Sequence, residues 1–317
     1  MRRHLIRPST RAFFREGRAS DDCTLFDLLH GYFYARWPFL YIGVATGRHP
    51  IARRYASLVR FIGRLMTRRS RRQLADAERQ AAANRETAAK RAWADGYHGK
   101  AMPLEDAKKL VLINEEIRIE DLEQVIPYGR ARAIIMKNPE RIAVLQCPCR
   151  TSRREACHPL DVCLIVGDPF ASFVVEHDPK RARFIGRDEA IRIMEEEDAR
   201  GHVHHAFFKD AMLGRFYAIC NCCSCCCGAM KAHRTGTPML ASSGYEAVVD
   251  GDLCIACGTC EGFCQFDALS AGDTATVVDA RACMGCGVCV SKCEHGAISL
   301  ERARARGVPL EVQALVV

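Results

Sequence analysis

The sequence predicts an α+β protein in successive parts. These are a basic, mostly helical N-terminal arm (1–100), a mixed α/β cysteine-rich module (101–240), a C-terminal domain built from a repeated βαβ unit (245–302) and a tail (303–317). Three observations carry that prediction. A four-cysteine motif occurs twice, 29 residues apart; apolar strand-like runs alternate with helical segments between 141 and 219; and the first hundred residues combine helical periodicity with most of the positive charge.

The arm holds 21 Lys+Arg against 8 Asp+Glu, a net of +13, while the remainder holds 25 against 30, a net of −5. Such a patch suits an anionic membrane surface or membrane complex, or an acidic protein partner; no recognised nucleic-acid motif accompanies it. Ser9–Arg15 is like a twin-arginine export signal that has Thr10 in place of one arginine, and no apolar core or small-residue cleavage site follows. The expectation is a reducing, cytoplasmic location, at the inner face of the membrane if the arm docks there. Residues 25–47 are apolar and aromatic, but Asp27, His30, Arg36 and Pro38 interrupt them, against the about 20 apolar residues of a spanning helix. They read as an arm that packs on the protein's own core, or that docks on a membrane or partner. Residues 51–95 read as one long helix, with Leu58, Phe61, Ile62, Leu65 and Met66 on one face and the basic run Arg68–Arg72 after them.

Pro103 opens a second helix through Leu104, Ala107, Leu110 and Val111. Pro127 predicts another, to Lys137, before Asn138-Pro139 breaks the chain. RIAVLQC (141–147), VCLIVG (162–167) and ASFVVEH (171–177) read as strands. Residues 188–200 read as a helix with Ala190, Ile191 and Met194 inward and Gly201 as its stop. The acidic run Glu195–Asp198 on it reads as a solvated end or a docking patch. Phe216–Ile219 delivers the chain to Cys220, and 235–244 reads as a linker.

Cysteine is the compositional outlier, 19 of 317 residues, and its bunching at two- and three-residue gaps favours metal ligation over disulfides. Cys254, Cys257, Cys260 and Cys264 form C-x2-C-x2-C-x3-C, and Cys283, Cys286, Cys289 and Cys293 repeat it. Val248-Val249-Asp250 recurs as Val277-Val278-Asp279, and Gly258 recurs as Gly287. Three thiolates at two-residue gaps wrap one cubane, and the fourth, pointing into the next helix, reaches the other. Cluster 1 would use Cys254, Cys257, Cys260 and Cys293; cluster 2 would use Cys283, Cys286, Cys289 and Cys264. Gly258, Gly285 and Gly287 let backbone N–H groups approach the sulfurs.

These residues resemble the bacterial-type two-[4Fe-4S], or dicluster, ferredoxin domain. The resemblance covers about residues 245–302 and implies two [4Fe-4S] clusters and one-electron transfer. The family usually has Pro after the fourth cysteine; Gln265 and Glu294 stand there in this chain. Zinc, which also uses C-x2-C pairs, explains two complete four-cysteine runs less well.

Ten further cysteines lie between 147 and 227. Cys220, Cys223 and Cys226 keep the cubane gap, with a fourth ligand from Cys147 or Cys149, which predicts a third iron–sulfur site. Cys222 and Cys225 form a second C-x2-C, and with Cys227, Cys157 and Cys163 they allow the thiols to divide between two sites. The order CPCR (147–150), two more cysteines, a helix and CNCCSCCC (220–227) resembles a cysteine-rich family of iron–sulfur electron-transfer proteins. Arg150 and Arg153 would compensate cluster charge. Cys226-Cys227-Gly228 also resembles the CCG of heterodisulfide-reductase-type domains, but the later C-x2-C they need belongs here to the repeat. Cys23 reads as an ordinary thiol. His202, His204 and His205 read as packing histidines, with a ligand or proton-coupled role as the alternative.

No Rossmann glycine motif, P-loop or flavin signature is present, so electrons would have to come from a redox protein partner. The reading is an electron carrier. The alternatives are an oxidoreductase subunit with a catalytic cluster in the middle module, or a metal-site sensing or assembly protein.

Overall fold

The computed structural model describes residues 6–20, 23–52, 54 and 76–312, with side chains for all of these except 76–83 and 85. Leu58, Phe61, Ile62, Leu65, Met66 and the run Arg68–Arg72 lie outside the described residues. The arm forms α1 (Pro8–Arg18), α2 (Leu25–Arg36), α3 (Pro38–Ala45) and α4 (Asp76–Gly96). Asp27, which interrupts the apolar run, is a cap: its carboxylate accepts from Thr24 N, and Thr24 Oγ1 accepts from Asp27 N, each at 3.1 Å. Pro38 ends α2 and begins α3, as a residue without an N–H does best at a helix start. No helix among the described residues is long and apolar enough to cross a membrane.

The centre of the molecule is a sheet of eight strands. They are β1 (Tyr97–Met102), β2 (Ile117–Ile119), β3 (Ile134–Gln146), β4 (Asp161–Asp168), β5 (Ala182–Ile185), β6 (Val203–Lys209), β7 (Arg215–Cys222) and β8 (Leu240–Ala241). Their order is β2-β3-β4-β7-β6-β1-β8, with β5 also on β3. Only β1 and β8 run parallel. Both faces are covered. Ala143, Leu145, Cys163, Ile165 and Phe207 face a core shared with α2, α3 and α7 (Phe170–His177). Ile142, Val144, Leu164, Val166 and Phe208 face a second core with α5 (Leu104–Val111) and α8 (Arg187–Ala199).

A short, continuous apolar run reads alike as a buried strand or a buried helix, and one expectation fails for that reason while others fail for their own. ASFVVEH is not a strand but α7, which packs Phe170, Ala171, Phe173 and Val174 inward. The helix expected from Pro127 to Lys137 is a turn followed by the start of β3, and Asn138-Pro139 lies within β3 at a register shift. Asn138 takes a left-handed φ of 47° there. The expected linker carries β8, and Met239 through Ser243 are buried. Glu197 and Asp198 are buried while Glu195 and Glu196 are exposed, so only the first half of the acidic run is a solvated helix end. The helices expected after Pro103 and at 188–200 are present, at 104–111 and 187–199, and Gly201 ends the latter with φ 79°.

The C-terminal region repeats strand, loop, short helix and strand: β9 (Tyr245–Val249), α10 (Thr259–Phe263) and β10 (Leu269–Ala271), then β11 (Thr276–Val278), α11 (Val288–Ser291) and β12 (Ile298–Arg302). The pairing crosses between copies. β9 pairs with β12 in the register Val249↔Ile298, and β11 pairs with β10 in the register Val278↔Leu269. These are the same pair displaced by the sequence repeat. Gly258 and Gly287 start the two helices at φ 73° and 83°, a left-handed conformation that a β-carbon would strain.

Candidate metal centres

Two thiol-lined cavities occupy the C-terminal region. One is lined by Cys254, Cys257, Cys260 and Cys293, beside Thr259 and Thr276. The other is lined by Cys264, Cys283, Cys286 and Cys289, beside Phe266 and Met284. Each cavity thus takes three thiols from one motif and the fourth from the other. Ala268 N donates to Cys264 Sγ and Ala297 N to Cys293 Sγ, both at 3.3 Å and at matching places in the repeat. Thr276 N donates to Cys254 Sγ at 3.4 Å. Backbone donors of this kind favour a negatively charged sulfur. The first cavity opens to solvent, where Cys257 and Ile255 are exposed. The second faces inward: Met284 is part of the core under the central sheet, and Phe266 packs against that core. Burial pushes the Cys289 thiol up to about 12.

The ten middle thiols sort into two groups. Alternate residues of a strand share a face, so Cys220 and Cys222 on β7 point together toward Cys163 on β4, the registered partner of Cys220. The Cys163 and Cys220 sulfurs are 3.8 Å apart. Cys147 and Cys149 arrive from α6 (Pro148–Thr151) and Cys227 from the start of α9 (Gly228–Arg234). These six thiols, with Cys223 and Cys226 at one side, line a cavity whose remaining wall is largely apolar, including Tyr34, Ile42, Leu145 and Phe207. The hydrogen bonds that Cys147 donates to Cys149 and Cys220 to Cys163, and then burial, push both thiols well up from the ordinary thiol range. Metal binding there would release protons.

Cys157, Cys223, Cys225 and Cys226 form the second group, with all four sulfurs within 4.8 Å of one another. The C-x2-C-x2-C gap brings Cys220, Cys223 and Cys226 to the lining of the six-thiol cavity, along with Cys147 and Cys149, although their sulfurs divide between the two groups. Cys220 belongs to the strand group, and Cys223 and Cys226 belong to the turn group while also lining the cavity. Cys23 is half-buried in the arm and donates to Thr24 O.

Arg150 is 1 % exposed and donates to Pro159 O at 2.6 Å, to Asn221 O at 3.1 Å and to Glu197, with His202 Nδ1 3.1 Å away. Burial works against its charge, but Glu197 outweighs it and holds the guanidinium above its ordinary value. Glu197, buried likewise, is held below the usual carboxylate range by His202 and Arg150. Arg153 donates to Cys225 O. His204 Nδ1 meets Asn221 Oδ1 at 2.7 Å, and burial, with His204 beside it, pulls His205 down to about 3.

Two contacts could not be read from sequence. Gln265, where the resemblance expects proline, accepts from Ser224 N at 2.8 Å, and its own carbonyl accepts from Arg234 at 3.0 Å. It ties the cysteine-rich turn to the C-terminal region. Proline cannot supply that side-chain acceptor.

Four-thiol cavities, crossed between two copies of one unit, define a polythiolate metal-binding protein. The 4Fe-4S binding domain family matches the chain twice, at residues 247–270 and 276–299, which marks an iron–sulfur protein whose C-terminal region is consistent with a ferredoxin-type dicluster domain. No curated protein matches the chain.

Proposed function

We propose that the protein carries electrons between protein partners, using two [4Fe-4S] clusters in the C-terminal domain and a further iron–sulfur centre in the six-thiol cavity. The crossing of the two cavity linings is the observation that carries this reading. In it, Cys254, Cys257, Cys260 and Cys293 hold the outer cluster and Cys264, Cys283, Cys286 and Cys289 the inner one. Clusters of this class supply one-electron chemistry. The protein's own residues do the rest. Ala268, Ala297 and Thr276 donate to the sulfurs, and Phe266 and Met284 fill the space between the inner cavity and the middle core. The exposed rim at Ile255 and Cys257 suits a docking redox partner.

The arm supports a membrane-facing position. Leu25, Phe26, Leu29, Phe33 and Trp37 are exposed in an arm (residues 1–100) of net +13, a pairing that suits an anionic lipid surface. Co-sedimentation with anionic but not neutral vesicles tests it.

Anaerobic iron and sulfide analysis with EPR tests the main reading. About eight irons per chain would mean two cubanes of four irons each; twelve or more would require a cluster in the middle module. Cys147→Ser should lower the count toward eight and leave the signals of the C-terminal clusters unchanged. A count of eight in the unsubstituted protein overturns the middle cluster, and no acid-labile sulfide overturns the whole reading. A second reading, an oxidoreductase subunit, is favoured by one observation: six thiols exceed the four that one cubane uses. It requires an EPR signal that changes when a small molecule is added.

A further inference from the structure

Four of the middle thiols stand closer together than a cluster would hold them. We propose that Cys157, Cys223, Cys225 and Cys226 bind one divalent thiophilic cation, zinc(II) or iron(II), in a closed tetrathiolate site. All four sulfurs lie within 4.8 Å of one another, with Cys157 and Cys225 at 3.1 Å and Cys225 and Cys226 at 3.7 Å. A tetrahedral ion with metal–sulfur bonds of about 2.3 Å sets sulfur–sulfur edges of about 3.8 Å. In a cubane, each thiolate binds a different iron and stands outside the core. Four sulfurs this close leave no space for that core among them, whereas a single ion fits.

The local backbone is built for such a site. Cys226 N and Cys227 N both donate to Cys223 O, at 3.3 and 3.0 Å, which closes a tight turn carrying three of the thiols. Cys157 comes from the loop between α6 and β4. Arg153 donates to Cys225 O and Arg48 to Cys226 O, the latter at 2.8 Å, so two guanidinium groups stand beside what would be a centre of net charge −2. Binding exchanges four thiol protons for one cation, releasing four protons with no change of oxidation state. The protein fills every coordination position, as structural sites do. The ion would tie the loop at 157 to the turn at 223–226. Cys223 and Cys226 also line the six-thiol cavity, so the same ion fixes one wall of it. The division also accounts for the surplus of thiols in CNCCSCCC. The site stands whether or not the larger cavity holds a cluster.

The test uses the full chain purified anaerobically, with zinc, iron and acid-labile sulfide measured together. Cys157→Ser and Cys225→Ser alter thiols that are not buried. Each variant should lose about one metal ion per chain and no sulfide, with the EPR signals of the C-terminal clusters intact. In the unsubstituted protein, zinc-edge absorption should show four sulfurs at about 2.3 Å, or, for iron, Mössbauer spectra should show a high-spin ferrous component outside the clusters. Loss of iron and sulfide together in either variant overturns the proposal. So does the absence of both spectroscopic signatures, or a 157–225 disulfide in the anaerobic protein. Absence of sulfide from the whole protein would overturn the cluster reading alone.

Discussion

The Arg150–Glu197 pair offers the sharpest energetic prediction. Both side chains are 1 % exposed, and the other acceptors around Arg150, namely Pro159 O and Asn221 O, carry no negative charge. Glu197→Gln removes the one carboxylate paired with that guanidinium among the described residues, and arginine cannot escape by losing a proton. Removing one partner of a buried pair costs about 3–5 kcal/mol, a large share of the roughly 5–15 kcal/mol that holds a protein folded. Arg150→Met should cost less, because Glu197 keeps His202 at 2.7 Å and Arg200 at 3.3 Å and can also protonate. Replacing both, Arg150→Met with Glu197→Leu, should recover most of the loss. The assay is hydrogen exchange followed by mass spectrometry on peptides spanning residues 147–160 in the anaerobic protein. A cost of 3–5 kcal/mol is about two to more than three orders of magnitude in opening, at 1.4 kcal/mol per tenfold. A change under tenfold for Glu197→Gln, or equal effects of the two single substitutions, would refute the reasoning.

Other outcomes follow from separate features. Cys293→Ser should alter the cluster of the first motif and not that of its own, read as selective loss of one of two EPR signals; loss of the other signal would mean the cavities are not crossed in ligation. Gln265→Ala should free the turn at 224, raising exchange at Ser224 by about tenfold for a hydrogen bond of roughly 1–1.5 kcal/mol. Burial pulls Lys100 down to about 8, while the unfolded chain keeps it near 10.4. Below pH 8 both states hold the proton and the full burial cost is present. Between about pH 8 and 10.4 the folded state sheds it first, so stability should rise by about 3 kcal/mol, and Lys100→Met should flatten that rise in anaerobic urea melts.

The C-terminal site was legible because its signal is local. Loop gaps of two residues and a 29-residue repeat carry the grouping of ligands within the chain itself. In the middle module the meeting of Cys163 with Cys220 was not legible, because it comes through strand register. Cys163 meets Cys220 only once β4 pairs with β7, and a gap of three along CNCCSCCC means something different on a strand than in a loop. The strand β1 escaped notice because YHGKAM is partly polar and yet buried. Lys100 reaches Val308 O at 2.8 Å, and His98 stacks on Tyr128 at 3.8 Å, satisfactions that exist only in the folded chain. The arm was read as packing on the core or docking outward. Leu28, Tyr34 and Ile42 pack inward while Phe26 and Phe33 remain outside, so its helices present two apolar faces.

The crossed pairing of β9 with β12 and β10 with β11 has a consequence for how such a domain can be divided. Neither half is self-sufficient: cut between Ala271 and Thr276, each piece keeps two strands whose partners are on the other piece. Two identical halves, however, would satisfy each other through a twofold axis, since the register pairs Val249↔Ile298 and Val278↔Leu269 are interchangeable. The geometry is that of a symmetric dimer written on a single chain, and the covalent join fixes the two halves at a permanent one-to-one ratio.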